Sequence, residues 1–291
     1  RAQVGNARIS VDMRWGTNSR INRNYETIDD PVKYYEVYYD ALYNYQLHGL
    51  GLTPAQAVIE ANKQLVSSGA SGGLGYPIFT VPNGEQLIGA DGHMNPNATL
   101  GRVIEHNGKR YTIISDDWKS YAFRNGMRKE YDINLTGGSE KMQYYLSLGY
   151  LNNEGVAYHS DFDRLTVRAK ADYEARKWLK VGTNMNLSRA KYHVIPSDGN
   201  GLFYQLNNVA PIYPAFIRDE QGNIITDENG QMFDYGNGAV IGLRRPMLPN
   251  INPLQENALN TNSSKVNMYS LHGYANIMPL EGLKITLNGT V

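Results

Sequence analysis

Apolar and polar side chains alternate with a period of two in seven segments of the chain, and each such segment predicts a half-buried β-strand. In the first, Ala7, Ile9, Val11, Met13 and Trp15 alternate with Arg8, Ser10, Asp12 and Arg14. In the second, Tyr131, Ile133 and Leu135 alternate with Asp132, Asn134 and Thr136; in the third, Tyr144, Leu146, Leu148 and Tyr150 alternate with Tyr145, Ser147 and Gly149. The fourth sets Leu165, Val167, Ala169, Ala171 and Tyr173 against Arg164, Thr166, Arg168, Lys170 and Asp172. The fifth sets Leu179, Val181, Thr183, Met185 and Leu187 against Lys180, Gly182, Asn184, Asn186 and Ser188. The sixth runs from Tyr269 to Ile277, with Ser270, His272, Tyr274 and Asn276 on its polar side. The seventh, Leu283 to Val291, follows the same rule and stops without a turn, which predicts a sheet that continues in a larger protein. No apolar face in this set carries a charge. That face meets either a protein core or lipid, and alternation alone serves a soluble sandwich as well as a membrane barrel.

Connection lengths separate the two. Strands two and three are joined by Gly137-Gly138-Ser139-Glu140, four and five by Glu174-Ala175-Arg176-Lys177, and six and seven by Pro279-Leu280-Glu281-Gly282. The other connections (Gly16 to Arg128, Asn152 to Asp163, Arg189 to about Asn267) are longer. Long and short therefore alternate, as in outer-membrane barrels with short periplasmic turns and long outer loops. A Greek-key sandwich has no reason to keep that parity. About 10 residues at roughly 3.3 Å each, tilted by about 40°, span the roughly 25 Å of an outer-membrane apolar band. Aromatics fall at the strand ends of the apolar face: Tyr144 and Tyr173 at the inner interface, Trp15, Tyr131 and Tyr150 at the outer one. The predicted fold is all-β, an antiparallel transmembrane β-barrel fragment of about seven strands, with long outer loops carrying short helices.

Those loops have signals of their own. Asp29-Asp30-Pro31 supplies an N-cap and an N1 proline for a helix over Val32 to Asn44, and Thr53-Pro54 does the same for Ala55 to Val66. Tyr34, Tyr35, Tyr38, Tyr39, Leu42 and Tyr43 give the first helix an aromatic side suited to packing. The tract Ser67 to Gly73 reads as a flexible link. Asp219-Glu220-Gln221-Gly222-Asn223 and Asp227-Glu228-Asn229-Gly230 read as hairpin turns; the sharper reading, a calcium loop, lacks the EF-hand spacing.

Composition narrows the function. The 291 residues hold 28 Lys+Arg and 28 Asp+Glu, a balance that argues against nucleic acid as a partner. No apolar run approaches the roughly 20 residues of a membrane helix. With 22 Tyr against 6 Phe, 29 Gly and no Cys, the chain is neither disordered nor a thiolate metal site. The six His residues (His48, His93, His106, His159, His193, His272) show no metal-ligand spacing, and no nucleophile elbow, phosphate loop or dinucleotide fingerprint is present. Asp116-Asp117 beside Trp118 is the nearest approach to a carboxylate pair, but adjacent residues rarely face one substrate. The expectation is a protein that is not an enzyme and carries no cofactor. Any leader peptide lies outside this sequence, since Arg1 begins no charged-then-apolar segment.

One block is specific. Asp117-Trp118, Phe123-Arg124-Asn125-Gly126, Tyr131 to Lys141 (YDINLTGGSEK) and Tyr144 to Gly155 (YYLSLGYLNNEG) together strongly resemble SusC-like (RagA-like) TonB-dependent transporters of the Bacteroidetes outer membrane. Arg164 to Arg168, Trp178 to Gly182 with Asn184, Pro211-Ile212-Tyr213-Pro214 and Asn252-Pro253-Leu254 continue the match, and Arg8-Ile9-Ser10-Val11 resembles the passage from plug into first barrel strand. Thr53 to Tyr111 is not diagnostic. The resemblance implies a barrel of about 22 strands with an N-terminal plug and TonB box, capped by a SusD-like surface lipoprotein and driven through TonB. Residues 1–291 would then be the N-terminal part of the barrel domain, with the plug and later strands absent. The implied cargo is a glycan or peptide and the implied surroundings outer-membrane lipid. Within that reading, Arg8, Asp12, Arg14, Asp132, Arg164, Arg168, Lys170, Asp172 and Asn184 face the lumen or the plug, and Trp118, Tyr121, Tyr204 and Tyr213 contact the lid, pack within the loops or stack on ligand. A soluble carbohydrate-binding or adhesin-like β domain and a siderophore receptor stand as alternatives.

Overall fold

The computed structural model describes residues 5–21, 27–195, 201–228, 230–260 and 262–291. The chain divides into two compact units, a wall unit of Arg1–Ile21, Phe123–Ile195 and Thr261–Val291 and a loop unit of Asn22–Ala122 and Pro196–Asn260.

The wall unit is one antiparallel sheet of seven strands: β1 (Gly5–Asn18), β2 (Gly126–Gly138), β3 (Met142–Glu154), β4 (Asp161–Arg176), β5 (Leu179–His193), β6 (Ser263–Leu280) and β7 (Leu283–Thr290). They lie side by side in chain order, with β1 and β7 at the edges. Each strand predicted from alternation is present, and all but β7 extend beyond their alternating cores because cross-strand pairing continues into the flanking residues. The connection between β3 and β4 shrinks in this way to residues 155–160, since Asn152 pairs with Asp163 and Glu154 with Asp161. Long and short connections still alternate.

Register carries the apolar stripe from strand to strand. Val11, Ile133, Leu148, Val167, Leu187 and Tyr269 form one cross-strand row, and Ile9, Leu135, Leu146, Ala169, Met185 and Leu271 the next. These side chains are not buried under a second sheet. Ile9 is 68% exposed, Leu148 44% and Leu271 50%. Register shifts occur only near the turn ends, at Gly5/Arg8, Glu174/Arg176 and Ile277/Leu280. At the opposite ends Trp15 stands edge-on to Tyr131, with ring centroids 6.1 Å apart, and donates its indole N–H to the Tyr131 hydroxyl at 3.2 Å.

The loop unit builds a core of its own. Helix α1 (Pro31–Asn44) starts where the Asp30 carboxylate accepts the Val32 N–H at 2.9 Å, and α2 (Pro54–Leu65) starts at a capping box between Thr53 and Gln56. Tyr35, Tyr39 and Leu42 of α1 and Ala61 and Leu65 of α2 join Tyr76, Ile78, Ile88, Tyr111, Ile113, Ile212 and Tyr213 in one buried cluster. The aromatic side of α1 is thus a packing surface. Residues 67–73 depart from the flexible link that their composition predicts. The Ser67 amide donates to Gln64, Gly72 to Gly69 and Gly73 to Ser68, and Tyr38 donates its hydroxyl to the Gly72 carbonyl at 3.0 Å. A Cβ at Gly73 would collide with the carbonyls of Gln64 and Ser67, so glycine here permits close backbone approach.

Short hairpins decorate this unit. Arg102–His106 pairs with Lys109–Ile113 through Asn107-Gly108, both at positive φ (51° and 72°), the type I′ arrangement that Asn-Gly favours. The predicted turn at Asp219 to Asn223 forms, with the Asp219 amide donating to the Asn223 carbonyl at 2.9 Å. Thr226–Asp227 pairs with Gly230–Gln231 as a second predicted turn requires, although Asn229 lies outside the described residues.

Tyrosine hydroxyls tie the core to main-chain and carboxylate oxygens: Tyr35 to the Tyr76 carbonyl, Tyr213 to the Leu74 carbonyl at 3.0 Å and Tyr76 to Asp234 Oδ2 at 2.8 Å. Tyr76→Phe is expected to remove about 1–3 kcal/mol from the loop unit, the scale of a buried hydrogen bond to an ionisable partner. Faster hydrogen exchange around Tyr76 and Asp234 would register the loss, and unchanged exchange there would refute it.

Candidate functional site

The polar face of the wall sheet collects all nine charged and amide residues singled out from the sequence, because every one occupies the opposite phase from the apolar stripe. Arg8, Thr136, Tyr145, Lys170, Asn184 and His272 form one cross-strand row. Arg14, Glu130, Leu151 and Arg164 form another, two steps closer to the loops than the row of Asp12, Asp132, Gly149 and Thr166. The structure brings Asp132, Arg164 and Arg168 together around a recess of about 410 Å³, with Glu130, Asn186 and Ser188 on its walls.

Pairing on this face is partial. Arg14 lies 3.8 Å from Glu130, Arg128 lies 3.1 Å from the same carboxylate, and Lys170 lies 3.3 Å from Asp172. Tyr145 donates to Asn134 at 2.9 Å, and His272 Nδ1 lies 2.9 Å from the Thr290 hydroxyl. The Tyr274 ring lies over Gly182 and donates its hydroxyl to Asp172, a path that any Cβ at Gly182 would obstruct. Asp12 and Asp132 face each other across β1 and β2. Among the described residues neither enters an ion pair, and neither do Arg8 and Arg168. Two carboxylates directly opposed weaken the pairing of their strands unless a cation joins them.

The loop unit holds a second recess of about 620 Å³, lined by Thr27, Asp29, Tyr34, Asp117, Lys119 and Asn208 among others. Lys119 Nζ reaches Asp29 at 3.2 Å, and the Thr27 hydroxyl donates to the same oxygen at 2.8 Å. The Thr27 hydroxyl, together with Lys119, holds the Asp29 carboxyl below its ordinary 3.8 against the opposing effect of burial. Trp118 lies beneath, 3% exposed, with its indole N–H on the Tyr213 carbonyl at 2.9 Å. Tyr213 is also buried, and burial pushes its hydroxyl pKa up. Both rings are therefore packed within the loop unit, Trp118 with an edge on the lining of the recess. Tyr121 and Tyr204 remain 40% and 55% exposed.

The partners of four buried ionic side chains, Asp116, Arg218, Asp234 and Arg245, were not legible in the sequence. Arg218 grips Asp116 in a fork, Nη1 to Oδ2 at 2.9 Å and Nη2 to Oδ1 at 2.6 Å, while Asp116 Oδ2 also accepts the Ala215 N–H at 2.7 Å. Burial, which alone would lower the Arg218 pKa, is outweighed by Asp116, so it stands raised. Asp116 is thereby committed to structure, which removes Asp116-Asp117 as an acid–base pair. Arg245, 1% exposed, donates to the Ile251 carbonyl at 2.7 Å and lies 5.6 Å from the Trp118 ring and 5.9 Å from that of Tyr213. Burial raises the carboxyl pKa of Asp234, the acceptor of Tyr76. No local spacing announces such pairs, because their members lie far apart in the chain. Among the described residues no group of three or more His, Asp or Glu is placed to hold a metal ion.

No known family profile matches the chain. It is similar to TonB-dependent receptor P26 of Formosa agariphila, 29% identical over 184 residues, which is 63% of this chain and 16% of that protein. TonB-dependent receptor P39 of the same organism is 32% identical over 85 residues, 29% of this chain and 8% of the relative. Among solved structures, the RagAB peptide importer in its closed-closed state aligns over 99% of this chain and 28% of that one, with a TM-score of 0.53 and 17% identity. The RagAB peptide transporter aligns similarly, with a TM-score of 0.52 and 18% identity. The chain thus spans less than a third of each of these proteins. The resemblance read from the sequence is borne out: the relatives are TonB-dependent receptors of a Bacteroidetes, and the fold is that of part of a SusC/RagA-like β-barrel.

Two outcomes are expected. Asp116→Ala leaves the Arg218 guanidinium buried without its carboxylate and should cost about 3–5 kcal/mol, read as a lower unfolding midpoint of the loop unit. The second concerns acid. On Glu36, burial pushes the pKa upward but is outweighed by the Met94 N–H, His93 and Lys33, so it sits below its ordinary 4.5. A carboxyl lowered in the folded state stabilises above its unfolded pKa, and that contribution is lost as pH falls through the folded value. Asp29 and Glu36 should therefore make α1 open more readily in acid below about pH 4. Glu36→Gln should flatten that acid limb in hydrogen exchange; an unchanged limb would count against the assignment.

Proposed function

We propose that this chain forms a section of the wall and outer loops of a TonB-dependent importer in the outer membrane of a Bacteroidetes bacterium. The observation that carries the reading is the uncharged stripe, which crosses all seven strands in register and remains exposed. Such a face suits acyl chains, and its aromatic borders suit the two interfaces. The opposite face, with Arg8, Asp12, Arg14, Asp132, Arg164, Arg168, Lys170, Asp172 and Asn184, would line a wet lumen or meet a plug. Its unpaired members, Asp12 and Asp132 on one side and Arg168 on the other, favour a charged counterpart over empty solvent.

The loop unit, with its own core and the exposed rings of Tyr121 and Tyr204, would stand on the outer side and meet a SusD-like surface lipoprotein. The structural neighbours are described as peptide importers, which makes an oligopeptide the first cargo to test. The SusC side of the resemblance makes an oligosaccharide the second. Energy would reach the whole protein through TonB.

Fractionation of the native protein tests the reading. It should partition with outer membranes and need detergent for release, and recovery from the soluble periplasm would remove the transporter in favour of a soluble β domain. Leu148→Arg, at the middle of the stripe, should cost about 2–4 kcal/mol and deplete the folded, heat-modifiable species, whereas Ser147→Arg on the other face should leave it intact. Affinity capture should bring down a SusD-like lipoprotein; its absence would favour a siderophore receptor.

A further inference from the structure

The apolar stripe ends abruptly at the loop side of the sheet. Past Tyr150 and Leu165, the same face continues as a polar cross-strand row of Lys129, Asn152, Asp163, Lys191 and Lys265. Lys191 and Lys265 are direct partners across β5 and β6. Arg189, two residues back along β5, shares their face and stands opposite Leu165 and Asn267. Like charges directly opposed disfavour strand pairing, and the flanking guanidinium adds a third positive charge. Among the described residues, Arg189, Lys191 and Lys265 enter no ion pair.

The nearby acids are engaged elsewhere. Asp163, in register with Lys191, accepts from Asn152 at 2.7 Å and from the Tyr150 hydroxyl at 3.5 Å. Asp161 is taken by Arg124 at 2.6 Å, with His193 at 4.0 Å. Across β4, β5 and β6 this border therefore carries a positive excess. Directly below it lie Leu187, Tyr269, Met185 and Leu271 of the exposed stripe.

We propose that Arg189, Lys191 and Lys265 form a site for the phosphate of a phosphorylated membrane lipid whose acyl chains lie along that stripe. The proposal rests on the reading of the stripe as lipid-facing. Under it, the cations stand at the level where headgroups begin, and one phosphate between Lys191 and Lys265 converts a repulsive cross-strand pair into two charge-assisted contacts. The Arg189 fork supplies the donor geometry that phosphate oxygens favour. Cations that merely reach for interfacial water would hold no particular lipid. A phosphate clamp discriminates phosphorylated from dephosphorylated headgroups.

The test uses the whole protein in detergent, native mass spectrometry, and three probes: diphosphorylated lipid A, the same lipid after enzymatic dephosphorylation, and inorganic phosphate. Wild-type protein should retain the phosphorylated lipid. The dephosphorylated form and the K191Q/K265Q variant should each weaken retention roughly tenfold or more, while K265R restores it. Equal retention of both lipid forms, or by K191Q/K265Q, overturns the site. Full competition by inorganic phosphate overturns the lipid in favour of a free anion. Heat-modifiable mobility and vesicle flotation of the same preparations separate the causes. If wild-type protein floats with vesicles but the lipid contrast is absent, only this inference fails; if it does not float, the membrane reading falls with it.

Discussion

The wall depends on one constraint, the unslipped register of an antiparallel ladder through seven strands. Side chains alternate across a strand, so a one-residue slip at any interface would send Leu and Val to the charged side and Arg and Asp to the apolar one. The register shifts that do occur lie near the turn ends, away from the middle rows of the stripe. Local chemistry reinforces the phase on the polar side: Lys170 with Asp172, Tyr145 with Asn134, and the Tyr274 hydroxyl reaching Asp172 across Gly182. The same constraint delivers one uncharged face and one charged face to the sheet.

The loop unit solves a different problem. Long polar connections hold many backbone groups that cannot all reach water, and each buried one needs a partner. Tyrosine meets the need better than phenylalanine, because its ring fills the core while its hydroxyl reaches a carbonyl or carboxylate. Tyr35, Tyr76 and Tyr213 each do this, and the excess of Tyr over Phe acquires a physical meaning. The forked Arg218–Asp116 pair and the buried Arg245 extend the same logic to charge. Residues 67–73, which composition marks as loose, are held by the carbonyls and tyrosine around them. A loop unit built this way has a defined surface.

Strand existence, strand phase, the two faces of the wall and the starts of α1 and α2 were all decided by local sequence. Alternation is a property of neighbouring residues, and caps are chosen by the three or four residues around them. The nine polar-face residues were legible for that reason, as were the aromatic borders of the stripe. The Asn107-Gly108 hairpin was equally local, and its turn signal stood in a stretch with no family signature to draw attention to it. Tertiary structure alone decided which of Trp118, Tyr121, Tyr204 and Tyr213 remain open, since burial depends on what distant segments cover. It alone also decided that Asp116 answers to Arg218, that Lys191 faces Lys265, and that Asp12 faces Asp132. Those meetings are set by register and by packing between positions far apart in the chain, and no period or spacing along one segment encodes them.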